Sequence, residues 1–184
     1  FLRCIEKIQP KEIFHIPFVL ASIKTKGDGS HLTPKISKVI HRSPEPLPLV
    51  SVLIPTKDKG SMLQRCINTL QSMASYPKVE IILIDHQSTQ SKARKILNST
   101  KSSPNIKIVS YSGEFNFSAM INKGAKEAKG EIIVLLNNDT EIFDSEWLTK
   151  LVINVSRKDV GVAGSLLLFP DGTIQHAGIH PGAD

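Results

Sequence analysis

Cysteine is almost missing from this chain. Cys4 and Cys66 are the only two, far apart and without metal-ligand spacing. That argues against a disulfide framework and fits a reducing compartment. Cys66 falls on the apolar face of a predicted helix, a packing position. Aromatic residues are also scarce, at 5%, and no basic stretch interleaves with them as a base-stacking platform would. Nucleic acid is therefore not expected as a partner. Long apolar runs are absent too. Ile132–Leu136 and Leu166–Phe169 are far short of the roughly 20 residues that span a bilayer. There is no initiating methionine and no charged-then-apolar leader, so Phe1 reads as an internal cut in a longer polypeptide.

Several motifs are missing as well. No G-x-x-x-x-G-K-[ST] loop occurs, and no G-x-G-x-x-G follows Ile54, which counts against an ordinary NTPase or a nicotinamide dehydrogenase. His176 and His180 are four apart, but Gly178 and Pro181 forbid a regular helix between them, so a helical zinc pair is not expected.

What is present is one domain's worth of chain, 184 residues with 40% apolar content, divided at residue 48 into an extension and a domain. The formal net charge is +6. Residues 1–48 carry eight Lys/Arg against four Asp/Glu, and residues 49–184 carry fifteen against thirteen. The excess sits on the first segment, which reads as an N-terminal extension ending in a linker. Gly27-Asp28-Gly29-Ser30 opens that linker, and three prolines between Pro44 and Pro48 close it in extended form. A solvated linker is the leading reading of this basic arm, ahead of attraction to an anionic membrane.

From Leu49 the pattern alternates. Val50–Ile54, Glu80–Ile84, Ile106–Ser110, Ile132–Leu136 and Val160–Phe169 read as strands. Met62, Leu63, Cys66, Ile67, Leu70 and Met73 recur at helical spacing. Further helices are predicted near Lys92–Leu97, over Phe117–Lys129 with Gly130 as the C-terminal cap, and from Trp147 to Val155. Asp171-Gly172 signals a tight turn before Thr173–His176. Such alternation predicts crossover units and an α/β fold, a mainly parallel sheet with helices on both faces. Val50–Ile54 and Ile132–Leu136 are the most continuous apolar strands and are expected at the centre, as neighbours.

Three strand ends are polar: Thr56–Asp58, Asp85–Ser88 and Asn137–Asp139. Open α/β sheets bind ligands outside the carboxyl ends of their strands. Oxygen donors there suit a hard divalent cation holding a diphosphate. For each strand end a structural reading stands beside the functional one. Asp139, Thr140, Asp144 and Ser145 could simply turn the chain and cap the next helix. Asp85 could start an Asx turn, with Ser88 or Thr89 capping the helix after it, or it could bind a nucleobase or ribose. Asn116 and Ser118 are natural N-caps, and Asn122 and Lys123 could reach a phosphate if that helix's N-terminus faces the crevice.

These segments resemble a known family. Val50–Asp58 and Ile82–Thr89 resemble the opening of glycosyltransferase family 2, which has the GT-A (Rossmann-like) fold. Phe115–Asn122, Gly124-Ala125 and Ala128–Glu131 continue the match in order, and Leu135–Glu141 sits where the family carries its Asp-x-Asp metal motif. Pro170–Gly178 is similar to the subgroup of bacterial cell-surface polysaccharide and rhamnan synthesis. The resemblance covers residues 49–184. His15–Leu20 is similar to the closing segment of another such module, so residues 1–48 are expected to include the tail of an upstream one.

The resemblance implies a nucleotide-sugar-binding role. Pro55, Thr56 and Lys57 would border the nucleobase, Asp85 and His86 would contact base and ribose, and Asn137 and Asn138 would stand near the ribose. Asn122 joins this set as a candidate, and Asp139 would bind Mn2+ or Mg2+. The general base of inverting members has no match and is expected beyond Asp184, so the chain reads as truncated before the acceptor-binding half and inactive alone. Asn137 stands in place of the metal motif's first acid, and His86 where Asp or Asn is usual. The implied activity is metal-dependent, inverting transfer of a sugar from a UDP- or dTDP-sugar to a glycan or lipid-linked acceptor of the cell surface. It would take place in the cytoplasm at the inner face of the plasma membrane, with peripheral membrane association. The alternative is a non-catalytic, truncated or degenerate module that binds or scaffolds. A nucleotidyltransferase would call for a glycine-rich phosphate-binding stretch, which is not found.

Overall fold

The computed structural model describes residues 43–73, 75–158 and 160–177. They fall into two compact units, Pro44–Thr149 and a second that holds the residues from Lys150 on. The expectations for Cys4, Ile13–Ile23, His15–Leu20, Gly27–Ser30 and His180 lie outside the described residues. The end of the predicted linker is packed rather than free. Tyr76 donates its buried hydroxyl to the Pro48 carbonyl at 2.7 Å, and Lys78 reaches the Leu47 carbonyl at 3.0 Å.

The first unit holds β1 (Val50–Thr56), α1 (Gly60–Ser72), β2 (Val79–Asp85), α2 (Ser91–Thr100), β3 (Ile106–Ser110), α3 (Phe117–Glu127) and β4 (Ile132–Leu135). The strands form one sheet in the order β3-β2-β1-β4, with every pair parallel. The α/β expectation and the adjacency of β1 and β4 both hold. Val50, Val52, Leu53 and Ile54 are fully buried, as a strand covered on both faces requires. Each such side chain contributes about 1.5–3 kcal/mol by leaving water.

Right-handed crossovers put α1 and α2 on one face. The chain runs from β1 to β2 to β3 in one direction, then reverses through α3 to reach β4 on the far side of β1. That reversal puts α3 on the opposite face. There Leu53, Ile82, Ile84, Val109 and Met120 form a buried cluster. Gly124 lets α3 sit close, since a Cβ there would stand 2.7 Å from Ile84 Cδ1.

Three expectations need correction. β4 is an edge strand among the described residues, and Ile133 and Leu135 are 45% and 43% exposed. Helix α3 stops at Glu127, and Ala128 is already extended, with φ −74° and ψ 139°. Gly130 is therefore no helix cap; it is a point of close approach. A Cβ there would meet Ser51 N and Oγ at 2.6 Å. The Val160–Phe169 run is not a continuous strand. In the second unit only β5 (Leu167–Leu168) pairs, antiparallel, with β6 (Ile174–His176). Gly161 and Gly164 weaken the run before it, and Val160 N instead closes a turn onto the Arg157 carbonyl. The predicted Asp171-Gly172 turn is present, with Asp171 Oδ1 accepting from Thr173 N at 2.9 Å. The helix expected from Trp147 is α4 (Trp147–Val155).

The buried polar residue of β1 is accounted for. Ser51 Oγ donates to Glu80 Oε1 at 2.6 Å and accepts from Gly130 N at 2.8 Å. Glu80 also accepts from Lys129 N at 2.6 Å. Partial burial pushes the Glu80 carboxyl up, but the Ser51 hydroxyl and the Lys129 and Gly130 amides outweigh it and hold the group below its ordinary 4.5. A depressed carboxyl stabilises the fold above its unfolded value and loses that contribution as pH falls through its folded one. Glu80→Gln should therefore cost about 1 kcal/mol at pH 7, allowing for solvent screening of a partly exposed group. The gap to wild type should close below the ordinary glutamate range. Denaturant unfolding at pH 7 and at roughly pH 3 checks this, and a deficit unchanged between the two refutes it.

Gly130→Ala should be destabilising at every pH, because backbone rather than a movable side-chain end opposes the added methyl. Thermal unfolding reads this, and an unchanged midpoint would contradict the close approach.

Candidate nucleotide-sugar site

The site grows from the reversal between β1 and β4. Leu53 pairs with Leu135, and Leu136 N continues the ladder to the Leu53 carbonyl at 3.0 Å. Two residues later Asn138 Nδ2 donates to Thr56 Oγ1 at 3.0 Å. This one bond joins two of the three predicted polar strand ends. On the other side Thr56 pairs with Asp85, and His86 N donates to the Thr56 carbonyl at 2.8 Å. A groove of about 250 Å³ lies over the ends of β1 and β4, lined by Pro55, Thr56, Lys57, Asn137 and Asn138, with Phe115, Phe117, Met120 and Lys59 completing it; Asp85 and Asp139 are not in its lining.

The loops after β1 and β2 are tied together. Asp58 N donates to Ser88 Oγ at 2.8 Å. Thr89 N and Gln90 N both donate to Asp58 Oδ1 at 2.7 Å. These bonds, that from Gln90 foremost, hold the Asp58 carboxyl below the usual aspartate range. The turn leading into α2 is thus held from another loop, and neither Ser88 nor Thr89 caps the helix, whose N-cap position is Gln90 without a side-chain cap bond. Asp85 does form the Asx turn, accepting from Ser88 N at 3.1 Å. Asp58, Lys59 and Gln87 all have φ between 51° and 56°. Left-handed backbone at non-glycine residues costs energy and tends to collect at functional sites.

His86 is only 3% exposed and does not line the groove. Its Nε2 donates to the Gly113 carbonyl at 2.9 Å, since a carbonyl oxygen can only accept. Its Nδ1 is buried without a partner. The ring stands edge-on to Tyr111 at 5.5 Å. His86 therefore holds the loop between β3 and α3.

Asn122 is not brought to the groove. It lines a separate cleft with Tyr111, Lys123 and Lys126. Met120 faces the groove, and Asn122 stands about 200° further round the helix. Asn116 is the N-cap of α3, its Oδ1 accepting from Ala119 N at 2.9 Å.

Asp139 lies exposed on the turn closed by Thr140 N and the Asn137 carbonyl at 3.2 Å. The capping work falls instead to Asp144, which accepts from Glu146 N at 2.9 Å. Among the described residues no three His, Cys, Asp or Glu side chains gather as a metal set. One exposed carboxylate beside two Asn side chains fits a Mg2+- or Mn2+-type cation that takes most of its ligands from a diphosphate and water. It does not fit an all-protein cage.

Sequence reasoning missed Phe115 and Phe117, the groove's aromatic wall, 70% and 39% exposed. It also missed Asp58 as the clasp between loops. The aromatic-polar-aromatic run around Asn116 was the available signal for the first pair. No local signal marks the second.

A parallel sheet with a polar groove at its topological reversal defines a Rossmann-like ligand-binding module. The model for glycosyl transferase family 2 matches residues 51–177, and the chain belongs to that family. It is 37% identical over 132 residues to the O-antigen biosynthesis protein RfbC of Myxococcus xanthus, covering 72% of this chain and 10% of that protein. It is 30% identical over an alignment of 212 residues to the uncharacterized protein y4gI of Sinorhizobium fredii, covering 97% of this chain and 23% of that one. The chain thus spans less than a quarter of the length of these relatives. The mannosyltransferase PcManGT from Pyrobaculum calidifontis, in complex with GDP-Man and Mn2+, superposes with a TM-score of 0.53 at 19% identity, over 60% of this chain and 33% of that one. TarS 1–349 of S. aureus gives 0.51 at 21% identity, over 58% and 32%. Both are likenesses of fold.

Cys66, on α1, packs beneath this site, its Sγ 3.6 Å from the Asn137 carbonyl. Burial, then the carboxylates of Asp139 and Glu141, push its thiol up to about 12. Since the thiolate is the reactive form, Cys66 should resist alkylation. In a Cys4→Ser background, iodoacetamide at pH 8 should leave the folded chain unlabelled and modify it in denaturant. Equal labelling rates would contradict the packing.

Proposed function

We propose that this module binds the donor of a glycosyltransferase that moves a sugar from a nucleoside diphosphate to a cell-surface glycan. The observation that carries the reading is the Asn138–Thr56 bond, which brings the ends of β1 and β4 together over one groove. In this reading Pro55, Thr56 and Lys57 border the base, with Phe115 offering a ring face. Asp85 meets the ribose, and His86 acts through the loop it holds. Asn137 and Asn138 orient the ribose and diphosphate, and Asp139 holds Mn2+ or Mg2+. When bound, that cation neutralises charge building on the departing diphosphate. A UDP- or dTDP-sugar is the proposed donor and a glycan or lipid-linked saccharide the acceptor. Transfer is inverting, at the inner face of the plasma membrane.

The sparse donor set around Asp139 favours a second reading, a module that binds or scaffolds without catalysis. Calorimetric titration separates them. UDP should bind in the presence of Mn2+, lose affinity at least tenfold with chelator, and lose it likewise in Asp139→Ala. Failure of a folded wild type to bind UDP, dTDP or GDP would overturn the donor-site reading and leave the scaffold.

A further inference from the structure

Charge is unevenly distributed over the first unit. The helices α1 and α2 form one layer on one face of the sheet, and their N-termini are in close contact, since a Cβ on Gly60 would stand 2.8 Å from Ala93 N. Neither helix contains an Asp or Glu. From His86 to Gly113 there is none at all. The layer instead exposes Lys59, Arg65, Lys92, Arg94, Lys95 and Lys101. Two carboxylates that border it are already engaged: Asp58 by the Thr89 and Gln90 amides, and Glu141 by Arg65 at 3.2 Å. The rest of the outer surface is uncharged, Ser, Asn and Gln, with Met62 41% exposed. Helix α3, on the other face, mixes signs, with Glu127 paired to Lys107 at 2.6 Å.

Mixed signs are the ordinary state of a soluble surface, and a single-sign field is a steering device. We propose that the α1–α2 layer docks this module onto an anionic lipid surface. The layer is made of two side-by-side helices whose exposed charges are all cationic, with Lys92, Arg94, Lys95 and Lys101 spread over the outer side of α2 and its end, which suits a plane of phosphate headgroups. Neither helix carries an aromatic residue, so the stacking that a single-stranded nucleic acid needs is missing. Each Lys or Arg near such a membrane contributes about fivefold in partition.

The test is sedimentation of the whole 184-residue chain with vesicles of phosphatidylcholine alone or with roughly 30% phosphatidylglycerol, an anionic surface of the kind that attracts basic segments. Wild type should bind only the anionic vesicles and release as salt rises. Arg94→Gln/Lys95→Gln/Lys101→Gln should weaken binding at least tenfold. A control of equal charge change on the other side, Lys123→Gln/Lys126→Gln/Lys129→Gln, should weaken it by less than a third as much. Equal loss in both triples assigns binding to net charge, or to the basic residues 1–48, and overturns the proposal. So does absence of binding by wild type at low salt, or binding to RNA but not to vesicles. All six positions are exposed, and circular dichroism verifies that both variants keep the fold.

Discussion

The parallel ladder that holds β1 between β2 and β4 sets the position of the strand ends that form the floor of the groove. A strand of period two that slips by one residue turns each side chain to the other face. Here a slip would take Leu53 out of the cluster with Ile84 and Met120 and present Ser51 to apolar packing. Ser51 guards the register from the amino end, bonded to Glu80 on the neighbouring strand and to Gly130 at the entry to β4. Asn138 and Thr56 close the same ladder at the carboxyl end. A polar pair at each end and an apolar middle define one alignment. The floor of the groove inherits its geometry from that alignment.

Much of this was legible in the sequence because it is local or periodic. Val50–Ile54 is a continuous apolar run, as a strand buried on both faces wants, whereas the equally apolar Ile132–Leu136 forms the sheet's edge with Ile133 and Leu135 partly exposed. Met62, Leu63, Cys66, Ile67 and Leu70 repeat at helical spacing. Asn116 caps α3 as its type predicts. What could not be read arises from contacts between distant segments. Asp58 holds the turn before α2, about 30 residues further on. Gly130 looks like a helix stop yet marks where backbone passes Ser51. The Val160–Phe169 run has strand composition but two glycines, and only its end pairs. Asn122 was one face of a helix away from the groove, a distinction that depends on which side of α3 packs on the sheet.

The site also depends on how the loops spend their backbone amides. A module without a glycine-rich phosphate loop could still hold a diphosphate on a helix N-terminus. In the turn before α2, Ser88 N is given to Asp85, and Thr89 N and Gln90 N are given to Asp58. At α3 the Ala119 amide is taken by Asn116. These four amides serve the protein's own side chains, which leaves the remaining first-turn amides of the two helices as the backbone donors for an anion.

Lys57 and Lys59 line the groove. Two flexible ammonium groups in water screen a diphosphate only weakly, whereas a divalent ion concentrates charge at the oxygens that need it. In the donor-site proposal a cation on Asp139 would supply that charge. Asn137, standing where the family resemblance implies an acid, would lower the protein's own negative charge beside the phosphates and leave the cation to be shared with the ligand. On that proposal the affinities for metal and for nucleoside diphosphate would be reciprocal, each raising the other by the same factor.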